Sequence, residues 1–219
     1  MFAGHIGAAL AIGRAERRVN LGAFVFAALL LDLVLWLFVL LGWESVTIPA
    51  NFSRSHQPEF VFPWSHGLLA AIAWSSLAGT GTFLWFAQRG SANTRAAVCV
   101  AMAVFSHWPL DALVHAPELP IAGEGSTKVG LGVWQSMPIA LTVEALIALA
   151  GLWLFVASAH LARGRKLWLG VLTLVTLGFT IAGMTVAPAP PSVATIASSS
   201  LLTIVAVCAL AGWLGKRTV

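Results

Sequence analysis

An all-α polytopic membrane bundle, with about six transmembrane helices plus a short N-terminal re-entrant or interfacial helix, is the fold class predicted for this 219-residue chain. Three observations predict it. Hydrophobic residues make up 59% of the sequence and charged residues 9%, with a mean hydropathy of +0.90, more apolar than the core of a soluble domain of this size requires. Apolar runs long enough to cross a hydrocarbon layer of roughly 30 Å extend over Leu21 to Gly42, Trp64 to Ala87, Ala96 to His115, Ser136 to His160, Leu167 to Ala187 and Val193 to Trp213. Charge alternates across them. Arg14, Arg17, Arg18, Arg89, Arg95, Arg163, Arg165, Lys166, Lys216 and Arg217 fall in alternate connections or at the C-terminal end. The opposite connections hold only Arg54 and Lys128, together with Glu44, Glu59, Glu118 and Glu124. By the positive-inside rule the basic connections are cytoplasmic, which puts both termini on that side. No polar stretch is large enough for a water-soluble domain, so residues 1–219 read as a single integral membrane domain.

The elements follow in order. Phe2 to Gly13 is apolar but too short to span, and its positive charges follow it instead of preceding it as in a secretory signal, so it reads as re-entrant or interfacial and uncleaved. It carries His5. The first span carries Asp32, and the polar connection Trp43 to Pro63 is long enough to form an outer cap. The second span opens with His66. The third carries His107, Asp111 and His115, with Pro109 predicting a kink that opens space beside His107 and Asp111. A second outer cap, rich in Pro and Gly, covers Ala116 to Gln135, and the fourth span carries Glu144. Pro188, Pro190 and Pro191 end the fifth span in a short turn, and the last two spans have no ionisable interior residue. Residues 1–160 therefore read as metal-site helices and 161–219 as scaffold. Cys99 and Cys208 read as packing residues and the ten tryptophans as interfacial belt or packing. The formal charge of +4 belongs to loops that meet the anionic headgroups of membrane lipids and does not indicate nucleic acid. No convincing internal repeat of the kind common in transporters is present.

The ionisable residues inside or at the ends of the spans are His5, Asp32, His66, His107, Asp111, His115, Glu144 and His160, all of them His, Asp or Glu. Ionisable groups within hydrocarbon are costly and mark functional sites. This set is the ligand inventory of a divalent metal, with zinc favoured, or of a proton relay. At 100° per residue His107, Asp111 and His115 lie within about 80° of one helix face. Counting inward at 1.5 Å per residue places His66 and His115 near the outer boundary, Asp111 roughly 6 Å in, His107 and Glu144 roughly 12 Å in and Asp32 roughly 15 Å in. His107 and His115 are roughly 12 Å apart along a regular helix, too far to share an ion, so His107 and Asp111 form the ligand pair and His115 stands at the mouth. His66 and Asp32 complete the set, and a re-entrant amino terminus adds His5. His160, beside Arg163, reads as interfacial.

Gly4-His5, Leu31-Asp32-Leu33, Trp64-Ser65-His66-Gly67 and Ser106-His107-Trp108-Pro109-Leu110-Asp111 resemble the YdjM-like family of bacterial inner-membrane metal-dependent hydrolases over roughly the first 145 residues. Glu59 to His66, His115 to Pro120, Gly130 to Trp134 and Glu144 resemble a subgroup of bacterial membrane proteins more closely. The resemblance implies an inner-membrane location and metal positions at His5, Asp32, His66, His107 and Asp111. Where the family typically has Pro-Asp-x-Asp this chain has Leu31-Asp32-Leu33-Val34, one carboxylate fewer.

The function expected is a membrane-embedded metal-dependent hydrolase acting on a lipid-like ester or phosphoester near the outer leaflet, with Glu144 or His115 as catalytic acid or base. The alternatives are a proton- or ion-relay transporter and a non-enzymatic scaffold with a structural metal. A continuous polar path across the bundle marks the first, and a closed shell of four protein ligands the second.

Overall fold

Where membrane helices start and break decides where this chain gathers its polar residues. The computed structural model describes residues 1–216, so Arg217 lies outside the described residues. Its helices are α1 (Phe2–Gly13), α2 (Leu21–Ala28), α3 (Leu30–Leu41), the one-turn α4 (Phe52–Ser55), α5 (Leu68–Ala87), α6 (Thr94–Phe105), α7 (His107–Val114), α8 (Met137–Ser158), α9 (Arg163–Thr185) and α10 (Val193–Leu214). Five helical stretches are long and apolar enough to cross a membrane: α5, α6 with α7 as one stretch, α8, α9 and α10. The bent pair α2–α3 is the sixth. The chain is thus a multi-pass membrane helix bundle.

Starts are set by capping side chains. Asn20, Asn93 and Ser192 accept the amides of Gly22, Ala96 and Thr195 at the heads of α2, α6 and α10. Gly42 ends α3 with φ of +75°, a left-handed conformation that glycine adopts without steric cost.

The breaks depart from the straight helices assumed in the sequence reading. The first span bends by 55° at Leu29, where no Pro or Gly announces it. There the Ala28 carbonyl accepts the His107 Nδ1–H at 2.7 Å, so a side chain from another helix enters the ladder. The third span breaks at Ser106, just before His107 and not between His107 and Asp111. Pro109 accounts for this, since it has no N–H for the Phe105 carbonyl and its ring clashes with that group. The two breaks meet at the Ala28–His107 hydrogen bond.

The N-terminal helix is packed inside the bundle. Eight of its twelve residues are buried, and at 1.5 Å per residue its length of about 18 Å reaches only partway through the bundle. Small residues let it dock on α8. A Cβ added at Gly7 or Gly151 would collide with the backbone of the facing helix. The buried face of α8 is Ala140, Glu144, Ala148, Gly151 and Phe155, spaced by three and four. Met1 is buried inside the bundle, its nitrogen 3.3 Å from Asp111 Oδ1.

At the end opposite the basic loops, two small antiparallel ladders form caps. β1 (Ser45–Thr47) pairs with β2 (Glu59–Val61), and β3 (Leu119–Pro120) with β4 (Lys128–Val129), followed by a 3₁₀ turn at Val133–Gln135. Gln57 donates to the Trp134 carbonyl, and the His56 Nδ1–H to the Ala187 carbonyl at 3.0 Å, tying the first cap to the second and to the α9–α10 turn.

Candidate metal centre

Beneath the caps, the two helix breaks and the head of α1 bring His5, Asp32, His66, His107 and Asp111 together from four parts of the chain. His66 Nε2 lies 3.1 Å from His107 Nε2, and Asp111 Oδ2 lies 3.1 Å from His107 Nε2 and 3.4 Å from His66 Nε2. Asp32 Oδ1 is 3.6 Å and 3.7 Å from the same two nitrogens. A tetrahedral ion with bonds of about 2.05 Å has ligand atoms about 3.3 Å apart, so the His66, His107 and Asp111 triangle has the size of such a site.

The outer hydrogen bonds fix which atoms face inward. His107 Nδ1 donates to a carbonyl, which can only accept, so in the neutral ring Nε2 carries the lone pair. Ser65 Oγ gives its one hydrogen to Glu44 Oε2 at 2.7 Å and therefore accepts His66 Nδ1–H at 2.8 Å, which leaves the lone pair on His66 Nε2. Glu44 also accepts the amides of Trp64 and Ser65, each at 2.8 Å, and so locks the turn that presents His66. With both rings neutral, two imidazole lone pairs and a carboxylate oxygen converge in this buried space, an arrangement satisfied either by a bound metal ion or by a proton on one ring that it donates to the other. The His/Asp group could hold a metal ion.

His5 plays a double part. Its Nε2 is 3.1 Å from Asp111 Oδ1, which also receives the Met1 nitrogen, so Asp111 is held through Oδ1 and presents Oδ2. The ring stacks on His107 with centroids 3.7 Å apart. His5, Asp32 and His107 also form a second possible ligand group. His115 caps α7, gives Nδ1–H to Glu118, packs on Trp134, and stands with Nε2 3.9 Å from Asp111 Oδ2. It borders the triangle at Asp111 and is buried, away from the cavity wall. Glu144 is buried and accepts the Gly4 amide at 3.2 Å. His160 is exposed in the α8–α9 connection.

Counting along straight helices separates His66 from His107 by roughly 12 Å, yet they touch. His66 precedes α5, in a turn that dips into the bundle, and so it does not follow the helical rise.

A cavity of about 390 Å³ adjoins the cluster, with Asp32 and Glu144 on its wall. Asp32 is 23% exposed there, against 3% for Asp111. Most of the remaining wall is apolar, from Trp36, Phe60, Trp134, Phe179 and Ile204 among others. The last two helices, read from sequence as scaffold, supply one side of it through residues such as Phe179, Met184, Ser200 and Thr203. Sequence reasoning missed Glu44 and Ser65 as the residues that orient His66. The signal available was a carboxylate closing the first outer turn and a hydroxyl immediately before the histidine. Replacing Ser65 with Ala is expected to weaken metal binding by about 10- to 100-fold while leaving the helical fold intact, as measured by competition with a chelator.

The bundle and its buried cluster define a multi-pass membrane protein with a site able to hold a metal. Comparison with protein-family models, with curated proteins and with solved structures finds no match to the chain.

Proposed function

We propose that this protein is a membrane-embedded metal-dependent hydrolase, of the kind its YdjM-like motifs imply, which cleaves an ester or phosphoester of a lipid-like substrate. One observation carries the proposal: three inward-facing acceptors, His66 Nε2, His107 Nε2 and Asp111 Oδ2, sit 3.1 to 3.4 Å apart beside a largely apolar cavity. Three protein ligands are the number that catalytic zinc sites use, with one position left for water or substrate. A zinc ion held there supplies a lowered pKa for water and polarisation of an ester or phosphoryl oxygen.

The chain's own residues do the rest. The apolar walls receive a hydrocarbon chain and exclude bulk water. Asp32, at the boundary between cluster and cavity, orients the reacting end or adds a ligand. Glu144, on the cavity wall with its Oε1 bonded to Gly4 N–H, takes and returns the proton. His115 positions Asp111 from the cap side. With the basic connections cytoplasmic, the caps and the cavity lie in the outer half of a bacterial inner membrane.

A polar path through the bundle would instead favour a proton or ion relay. Between the cluster and the basic end the buried side chains of α1, α2 and α6 are apolar, among them Ile6, Leu10, Phe24, Val25 and Val100. The buried α9 threonines 173, 176 and 180 each donate to their own helix. This supports an enzyme whose site opens on one side.

The experiment is Glu144→Gln in detergent-purified protein, assayed on a panel of acyl and phosphoryl ester amphiphiles. The expected result is a loss of turnover by about 10²- to 10⁴-fold with metal content unchanged. Metal-loaded wild type that cleaves none of the panel, in either micelles or bilayers, overturns the hydrolase reading and leaves a structural metal.

A further inference from the structure

A second cavity, at the basic end of the bundle, has a different chemistry. It measures about 350 Å³ and lies where the α1–α2 link, the end of α8 and the end of α10 meet. Arg17, Arg18 and Lys216 stand around it, Phe155 and Leu161 give it an apolar side, and no carboxylate lines it among the described residues. The frame is built. Arg17 Nη2 donates to the Ser158 carbonyl at 2.9 Å, which binds the link to the end of α8. Asn20 accepts Gly22 N–H and donates to the Gly212 carbonyl, which binds the same link to α10. Arg18 and Lys216 keep exposed side chains.

Three cations above an apolar side, at the end of membrane-spanning helices where headgroups lie, match an amphiphile that carries one phosphate charge. We propose that this pocket binds the phosphodiester headgroup of an acidic phospholipid, with the first carbons of its chains along Phe155 and Leu161. Generic attraction of basic loops to the membrane surface needs no pocket. A built site with all three cations on one concavity distinguishes this pocket from the α5–α6 connection at the same end, where Arg89 lies over the Trp85 ring.

The test uses the full chain in zwitterionic phosphatidylcholine nanodiscs, titrated with phosphatidylglycerol and read by native mass spectrometry. Saturable uptake of phosphatidylglycerol is expected, with phosphatidylcholine not competing. Arg18→Gln with Lys216→Gln should weaken uptake by about five-fold for each cation removed, and Arg89→Gln should leave it unchanged. Both replaced side chains are exposed, and helix content by circular dichroism checks that the variant is folded. Three results would overturn the proposal: equal affinity in the double variant, equal loss in Arg89→Gln, or displacement of the lipid by soluble glycerol phosphate or inorganic phosphate at the lipid's own affinity. The last would make the pocket a site for free phosphate.

Discussion

His107→Ala is expected to take the purified protein from about one metal ion per chain to background, a fall in affinity of more than about 100-fold. His107 sits at the junction of every element of the site. Its Nδ1 closes the bend at Ala28, its Nε2 faces His66 and Asp111, and its ring lies against His5. Removing a residue that merely orients a ligand already costs about 10- to 100-fold, so removing a ligand costs more. The variant also leaves the Ala28 carbonyl without its partner, and a lower unfolding temperature is expected. His160→Ala provides the control, because that histidine is exposed and far along the chain from the cluster. Metal analysis by plasma mass spectrometry should show His160→Ala indistinguishable from wild type.

Gly151→Val is expected to have the largest effect on the fold, about 3 kcal/mol or more, because α1 and α8 pack backbone to backbone at Gly7 and Gly151. A side chain at 151 drives the Gly7 carbonyl away, and the interhelical gap that opens cannot be filled by small residues. The head of α1 moves with it. Since His5 and the Met1 nitrogen hold Asp111 Oδ1, metal affinity should fall together with thermal stability. Gly170→Val on α9 is the matched control, because a Cβ there meets open space. It should be neutral or slightly stabilising, as expected for replacing a helical glycine. Parallel losses in the two variants would mean that α1 is not docked as described.

Much of this architecture was legible in the residues. Apolar length marked the spans, and the types of the buried ionisable residues, all His, Asp or Glu, marked the cluster before any geometry was known. His107 with Asp111 on one turn of helix was readable from spacing alone. Other features depend on what a distant segment does. The bend at Leu29 has no local cause; it exists where His107 takes a carbonyl from the ladder. The place of His66 was misjudged because a turn before a helix does not obey the helical rise. Glu44 looked like one loop carboxylate among four, and only tertiary contact joins it to Ser65. The cavity wall from α9 and α10 was invisible for a similar reason, since Phe179, Met184 and Thr203 are ordinary membrane-helix residues until the bundle turns them toward Asp32.

The most direct test of the account is anomalous diffraction from crystals of the wild-type protein, collected on both sides of the zinc absorption edge. The account predicts one strong peak about 2.0 to 2.2 Å from His66 Nε2, His107 Nε2 and Asp111 Oδ2. It is contradicted if no anomalous peak lies among these three atoms and they instead close on ordered water or on one another.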